Sequence, residues 1–188
     1  IARVLQHLGL EDELHRLLTV SAGMEYVDAA GARLFTFEGF EREPLLGWHE
    51  DYVFVQPELD GVLRVALEQY AHVEVRLGVD APPLDELRRT ARFVVACDGA
   101  TSAVRDQLGT ELIDLGYDER WLVVDVMLHD PAVPALPGII QQVCDRRRMA
   151  TFVPSHGRHR RWEFRLADDE LVPDVWRLLA PWGITKDL

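Results

Sequence analysis

The stretch RFVVACDGATSAVRDQLG, residues 92–109, decides how the rest of this chain is read. Phe93, Val94, Val95, Ala96 and Cys97 form a short continuous apolar run that stops at a turn signal, which predicts a buried strand. Asp98-Gly99 is that turn. Thr101 or Ser102 is placed to cap a following helix, with Asp106 inside it and Gly109 as its stop. A strand that passes through an acidic-glycine turn into a helix sets backbone N–H groups and a carboxylate at the carboxyl end of a sheet, where α/β folds place ligands. An ordinary strand–turn–helix corner has the same pattern, so the stretch alone does not settle the matter.

Working outward, the 188 residues suffice for one domain or two small ones, and 48% hydrophobic against 28% charged residues supports a packed core. The formal charge of −12, from 32 acidic and 20 basic residues, repels phosphate backbones and argues against a nucleic-acid partner. Cys97 and Cys144 both fall in predicted strands and read as reduced core thiols of a cytoplasmic protein. No apolar run approaches the roughly 18 residues of a membrane span, and no signal peptide is read. The chain opens on Ile1 rather than Met and reads as a piece of a longer protein. His156 and His159 lie in a Gly/Arg-rich loop without a third ligand, so no metal is expected.

Upstream, residues 1–18 carry leucines on helical spacing interrupted by Gly9. Residues 24–29 and 33–37 flank Ala30-Gly31 as a hairpin, and residues 52–55 make a short strand ending at Gln56-Pro57. Pro57 then suits the start of a helix striped by Leu59, Leu63, Ala66 and Leu67. Val73, Val75 and Leu77 alternate as a strand, and a helical turn is read at residues 84–88. Downstream of Gly109 the pattern turns to successive strands. Residues 121–128 alternate, with Leu122, Val124, Val126 and Leu128 on one face; residues 139–144, 149–154 and 160–166 follow after short loops, which predicts an antiparallel meander. Residues 171–182 are expected to form a closing helix, and Trp121 is expected to pack.

Four phrases in order, CDGATSAVR, GYDERWLVVDV (residues 116–126), QQVCD (141–145) and RRWEF (160–164), resemble the single-component FAD-dependent aromatic hydroxylases, most of all the 3-(3-hydroxyphenyl)propionate hydroxylase type. FVQPELDGVLRVAL (54–67) is similar to that family too. The resemblance implies an α/β, mixed α+β fold: part of an FAD-binding Rossmann-like layer joined to an antiparallel-sheet substrate domain, p-hydroxybenzoate hydroxylase-like. Residues 1–115 would belong to the FAD-binding portion, interleaved with substrate-domain strands near 22–38, and residues 116–188 to the substrate portion. The family's N-terminal G-x-G-x-x-G loop and its later glycine-aspartate motif are not found in these residues, and its excursion between Leu77 and Arg92 is usually longer.

The activity implied is hydroxylation of a small phenolic aromatic acid with FAD, NAD(P)H and O2, in a protein that allows a homodimer. A related hydroxylase of larger polyketide-like aromatics, or a non-catalytic homologue acting as a binding module, are the alternatives. By resemblance, Gln56, Asp98, Gly99, Ser102 and Arg105 would serve the nucleotide cofactors. Gln141, Val143, Phe152 and Trp162 are the candidates for lining the substrate pocket, with core packing as the competing reading for the two aromatics. Arg105 could equally pair with Asp98 or Asp106, and no residue is assigned as catalytic base.

Overall fold

Gly9, at φ +75°, parts the leucine-rich opening into two short helices, α1 (Ala2–His7) and α2 (Glu11–Leu17). The computed structural model describes residues 2–38, 43–44, 46–130 and 136–186. The elements that follow are β1 (Thr19–Val20), β2 (Gly23–Asp28), β3 (Arg33–Glu38), β4 (Tyr52–Val53), α3 (Gln56–Leu67), α4 (Leu84–Thr90) and α5 (Ala103–Gln107). Strands β5 (Arg120–Met127), β6 (Ile140–Cys144), β7 (Ala150–Val153) and β8 (His159–Leu166) come next, then α6 (Val175–Leu179) and a one-turn 3-10 helix, Ala180–Trp182. They divide into two units: Ile1–Tyr70 with Glu119–Leu188, and Ala71–Asp118.

The first unit is built on a six-stranded sheet in the order β3-β2-β6-β7-β8-β5. Strands β6, β7 and β8 form the expected meander, joined by short loops. Two features depart from a simple meander: β5 adds outside β8, and the β2–β3 hairpin enters through a parallel pairing of β2 with β6. The hairpin turn is held by Asp28, whose Oδ1 accepts from the N–H groups of Ala30 and Ala32 at 2.8 and 2.9 Å. At its other end Gly23 adopts φ +120°, and a Cβ there would lie 2.1 Å from the Phe37 carbonyl oxygen.

Register fixes which side chains share a face. Gln141, Phe152, Trp162 and Val124 stand in one row, and Val143, Ala150, Phe164 and Leu122 in the next. This face is covered. Phe152, Trp162, Phe164, Leu128, Leu179 and Ile184 form its buried core, with Trp176 and Trp182 packed at the margin. The Phe152 and Trp162 rings lie 5.0 Å apart, and Trp182 meets Trp162 edge-on at 6.2 Å. The lid starts later than expected: Asp174 caps α6 by accepting from Trp176 N–H at 3.0 Å, so residues 171–174 stay outside the helix. Pro173 disfavours helical backbone just before it, and Leu171 and Val172 stand exposed.

The opposite face is open. It carries Phe35, Tyr26, Gln142, Thr151, Glu163 and Val123 in one row and Val153, Arg161 and Asp125 in another. Trp121 belongs to this face and is 37% exposed, not packed in a core as expected. Beside the sheet, α2 buries Leu14 and its N-cap residue Leu10 is buried as well, and Trp48 stacks on His15 while donating to Gln6 Oε1 at 2.9 Å. Strands β1 and β4 pair antiparallel and lead into α3, where Pro57 occupies the first turn and no residue is fully buried.

In the second unit, α4 and α5 are tied by the Gln107 side chain, whose Oε1 accepts from Leu84 N–H at 2.9 Å. Residues 73–77 and 93–97, both expected as strands, are not strands; Phe93 and Val95 are 79% and 84% exposed. A strand exists only through its ladder, and the described residues of this unit offer these apolar runs no partner. Cys97 is accordingly an exposed thiol rather than a core one, and Cys144, at the end of β6, is exposed as well.

Candidate active site

The Asp98-Gly99 corner keeps the local chemistry expected of it even without its strand. Ser102 is the N-cap of α5 and accepts from Arg105 N–H at 3.0 Å. Its hydroxyl donates to Asp98 Oδ1 at 2.6 Å, and Val104 N–H donates to Asp98 Oδ2 at 3.1 Å. These donors, Ser102 foremost, hold the Asp98 carboxyl below the usual carboxylate range. Gly99 sits at φ +82°, and a Cβ there would meet nothing within 4 Å, so the backbone on that side is open to an approaching ligand. The Arg105 guanidinium has a loose contact with Asp106, at 3.9 Å. The corner therefore brings Asp98, Gly99, Ser102 and Arg105 together.

Gln56 belongs to the other unit. It heads α3 on the exposed side, and its amide has no partner among the described residues. A cavity of 520 Å3 lies against it, bounded by Tyr52 and Phe54 on one side and by Asp125, Val153, His159, Arg161 and Glu163 of the open sheet face on the other.

The four residues expected to line a substrate pocket lie on the covered face. Phe152 and Trp162 are fully buried core and line none of the cavities described here. Their parity puts them under α6, and this is a correction to the expectation. Gln141 and Val143 do border a cavity, of 800 Å3, between the β2–β3 turn and the 3-10 helix. Gln141 is occupied there by Glu25, to whose Oε1 it donates at 2.9 Å, while Arg33 approaches the other oxygen at 3.3 Å.

Sequence reasoning missed the polar cluster on the open face. Arg161 grips Asp125 with two hydrogen bonds, Nε to Oδ1 at 2.8 Å and Nη2 to Oδ2 at 3.0 Å. His159 Nε2 lies 2.9 Å from Asp125 Oδ1. Arg161 first, and His159 after it, keep the Asp125 carboxyl below its ordinary range. His159 Nδ1 is buried with no partner among the described residues. The signal was present as the one acidic residue inside WLVVDV and the arginine beside Trp162 in RRWEF.

A mixed sheet with one covered face, its open face adjoining a glutamine-headed helix, has the fold of the FAD-dependent monooxygenases. The structure aligns with the probable FAD-dependent monooxygenase pqsL of Pseudomonas aeruginosa at a TM-score of 0.63, over 87% of this chain and 48% of that one, with 20% identity. The chain belongs to the FAD binding domain family, whose signature matches residues 2–171. A probable NADH-specific resorcinol 4-hydroxylase of Rhodococcus jostii is 32% identical over 98% of this chain. A 3-(3-hydroxy-phenyl)propionate/3-hydroxycinnamic acid hydroxylase of Burkholderia cenocepacia is 31% identical over 96% of it. The chain spans 39% and 36% of the lengths of these two relatives. No helix among the described residues is long and apolar enough to cross a membrane.

Proposed function

We propose that this chain is part of a flavin-dependent monooxygenase hydroxylating a phenolic aromatic acid with NAD(P)H and O2, with the Asp98-Gly99 corner in one unit serving the nucleotide and the open sheet face in the other serving the substrate. The carrying observation is the cavity that joins Gln56 to Asp125, Val153, Arg161 and Glu163 on the open face. Such a boundary, apolar with a few convergent polar groups, is what a small aromatic ligand needs.

The residues present fit an FAD group in kind. Within its own unit, Gly99 leaves the backbone open to close approach and the loosely held Arg105 guanidinium is suited to a phosphate; in the other unit, Gln56 offers an amide donor and acceptor without a partner among the described residues. When bound, the flavin supplies the redox chemistry. This chain's residues bind and orient: Asp98 fixes its own turn, Gln56 presents its amide to the cavity, and Tyr52, Phe54 and Val153 help exclude water from it. The exposed free thiols Cys97 and Cys144 suit a reducing compartment such as the cytoplasm.

The test is made on the full-length protein. It should carry flavin absorbance after purification and oxidise NAD(P)H faster when 3-(3-hydroxyphenyl)propionate is added, with product heavier by one oxygen atom. A colourless protein, or NAD(P)H oxidation without an oxygenated product from any phenol offered, would reject the proposal.

A further inference from the structure

We propose that Asp125 is the hydrogen-bond acceptor that receives and orients the substrate's phenolic hydroxyl, with Arg161 and His159 as its positioning residues. The proposal rests on the hydroxylase reading above and deepens it by assigning the group that recognises the phenol.

Geometry carries the argument. Asp125 lines the cavity that Gln56 also lines, and its side chain is 44% exposed, so a ligand in that space can reach it. A carboxylate offers about four lone-pair positions. Among the described residues, Oδ1 receives both Arg161 Nε and His159 Nε2, whereas Oδ2 receives Arg161 Nη2 alone. An acceptor position therefore remains on Oδ2. The bidentate guanidinium fixes the carboxylate plane, and the imidazole on Oδ1 stops it from turning about that contact. With Nδ1 buried and unpartnered among the described residues, the tautomer of His159 that leaves no orphaned donor carries its proton on Nε2, aimed at Asp125.

A rigid, ionised acceptor favours a ligand that donates. The three residues also reach the site from two neighbouring strands, with Asp125 opposite Arg161 in the β5–β8 register and His159 opposite Met127. Glu163, on the same face, borders the cavity as a second carboxylate within the field of Arg161 and adds to the preference for a donor at this end of it.

The test is a binding cycle on the flavin-loaded full-length protein, read by calorimetry rather than turnover. The ligands are 3-(3-hydroxyphenyl)propionate and 3-phenylpropionate, which differ only in the hydroxyl. Wild type should prefer the hydroxylated ligand by roughly tenfold to a hundredfold, the range for a hydrogen bond to a charged group. In D125N that preference should fall to about threefold or less, because a neutral amide oxygen accepts more weakly. If D125N is too unstable to titrate, D125E, which keeps the charge but displaces it, carries the same cycle and should also lose most of the preference. An unchanged preference in either variant overturns the proposal and leaves Asp125 a structural ion pair, with the hydroxylase reading intact. A flavin-loaded wild type that binds both ligands equally overturns it too. A full-length protein that retains no flavin and binds neither ligand overturns the hydroxylase reading itself.

Discussion

Asp125 and Arg161 face each other directly across the β5–β8 ladder and are joined by two hydrogen bonds of 2.8 and 3.0 Å. Because Arg161, and behind it His159, lowers the carboxyl's pKa in the folded state, the pair's contribution is complete above the ordinary carboxylate value of about 4 and fades as pH falls through the lower folded value. Both side chains are more than a third exposed, so the contribution is at most about 1 kcal/mol. Urea unfolding of wild type and D125N should differ by that much near neutral pH and converge below about pH 4. A difference that grows on acidification would contradict the assignment.

Two tryptophans of the sheet should respond in opposite ways. Trp162 is enclosed against Phe152 and Trp182, so W162A should cost roughly 3–5 kcal/mol. Trp121 stands on the open face and donates to Glu119 at 3.2 Å, so W121A should cost about 1 kcal/mol or less. Melting temperatures of the two variants would decide it; similar losses would mean that the open face is covered in the folded protein.

Gly23→Ala should destabilise by roughly 2–4 kcal/mol, through strain at positive φ and the overlap with the Phe37 carbonyl. The damage should centre on the β2–β3 hairpin. Loss of the Tyr26–Phe35 ring contact, now 4.3 Å between centroids, would be visible as shifted aromatic resonances. Wild-type spectra from G23A would refute the close approach.

Ser102→Ala removes the acceptor for Arg105 N–H and the donor to Asp98 together. Loss of the cap should weaken α5 by about 1 kcal/mol, seen as faster exchange of the Arg105 amide hydrogen while the sheet amides hold their protection. Exchange rising equally in the sheet would show that the corner stabilises more than its own helix.

Local rules were legible where neighbours along the chain decide the outcome. The cap read as Thr101 or Ser102, which the structure gives to Ser102, the hairpin around Ala30-Gly31 and the alternation of Leu122, Val124 and Val126 depend on two to five residues each, and the structure has all three. Residues 93–97 have equally strong β-forming side chains, yet a strand needs a partner that composition cannot supply. For Phe152 and Trp162, strand parity was the information that the sequence did not carry. Gln141 and Gln142 look alike in the sequence; only the docking of α6 decides that Gln141 turns inward and Gln142 outward. Choosing Phe152 and Trp162 followed aromatic character to the core. Asp125 and Arg161 were passed over because 36 residues separate them.

The parallel seam between β2 and β6 has a consequence for synthesis. Met24 pairs with Ile140 and Asp28 with Cys144, so the inner edge of the finished hairpin waits for residues made much later. At translation rates of about 5–20 residues per second, that edge stands without its ladder for on the order of 6–20 s while Met24, Tyr26, Phe35 and Phe37 are already in place. A nascent chain carrying an unpaired edge and an aromatic cluster is a natural client for chaperones. Its yield in a cell should therefore depend on translation speed and growth temperature more steeply than the stability of the finished sheet alone would dictate.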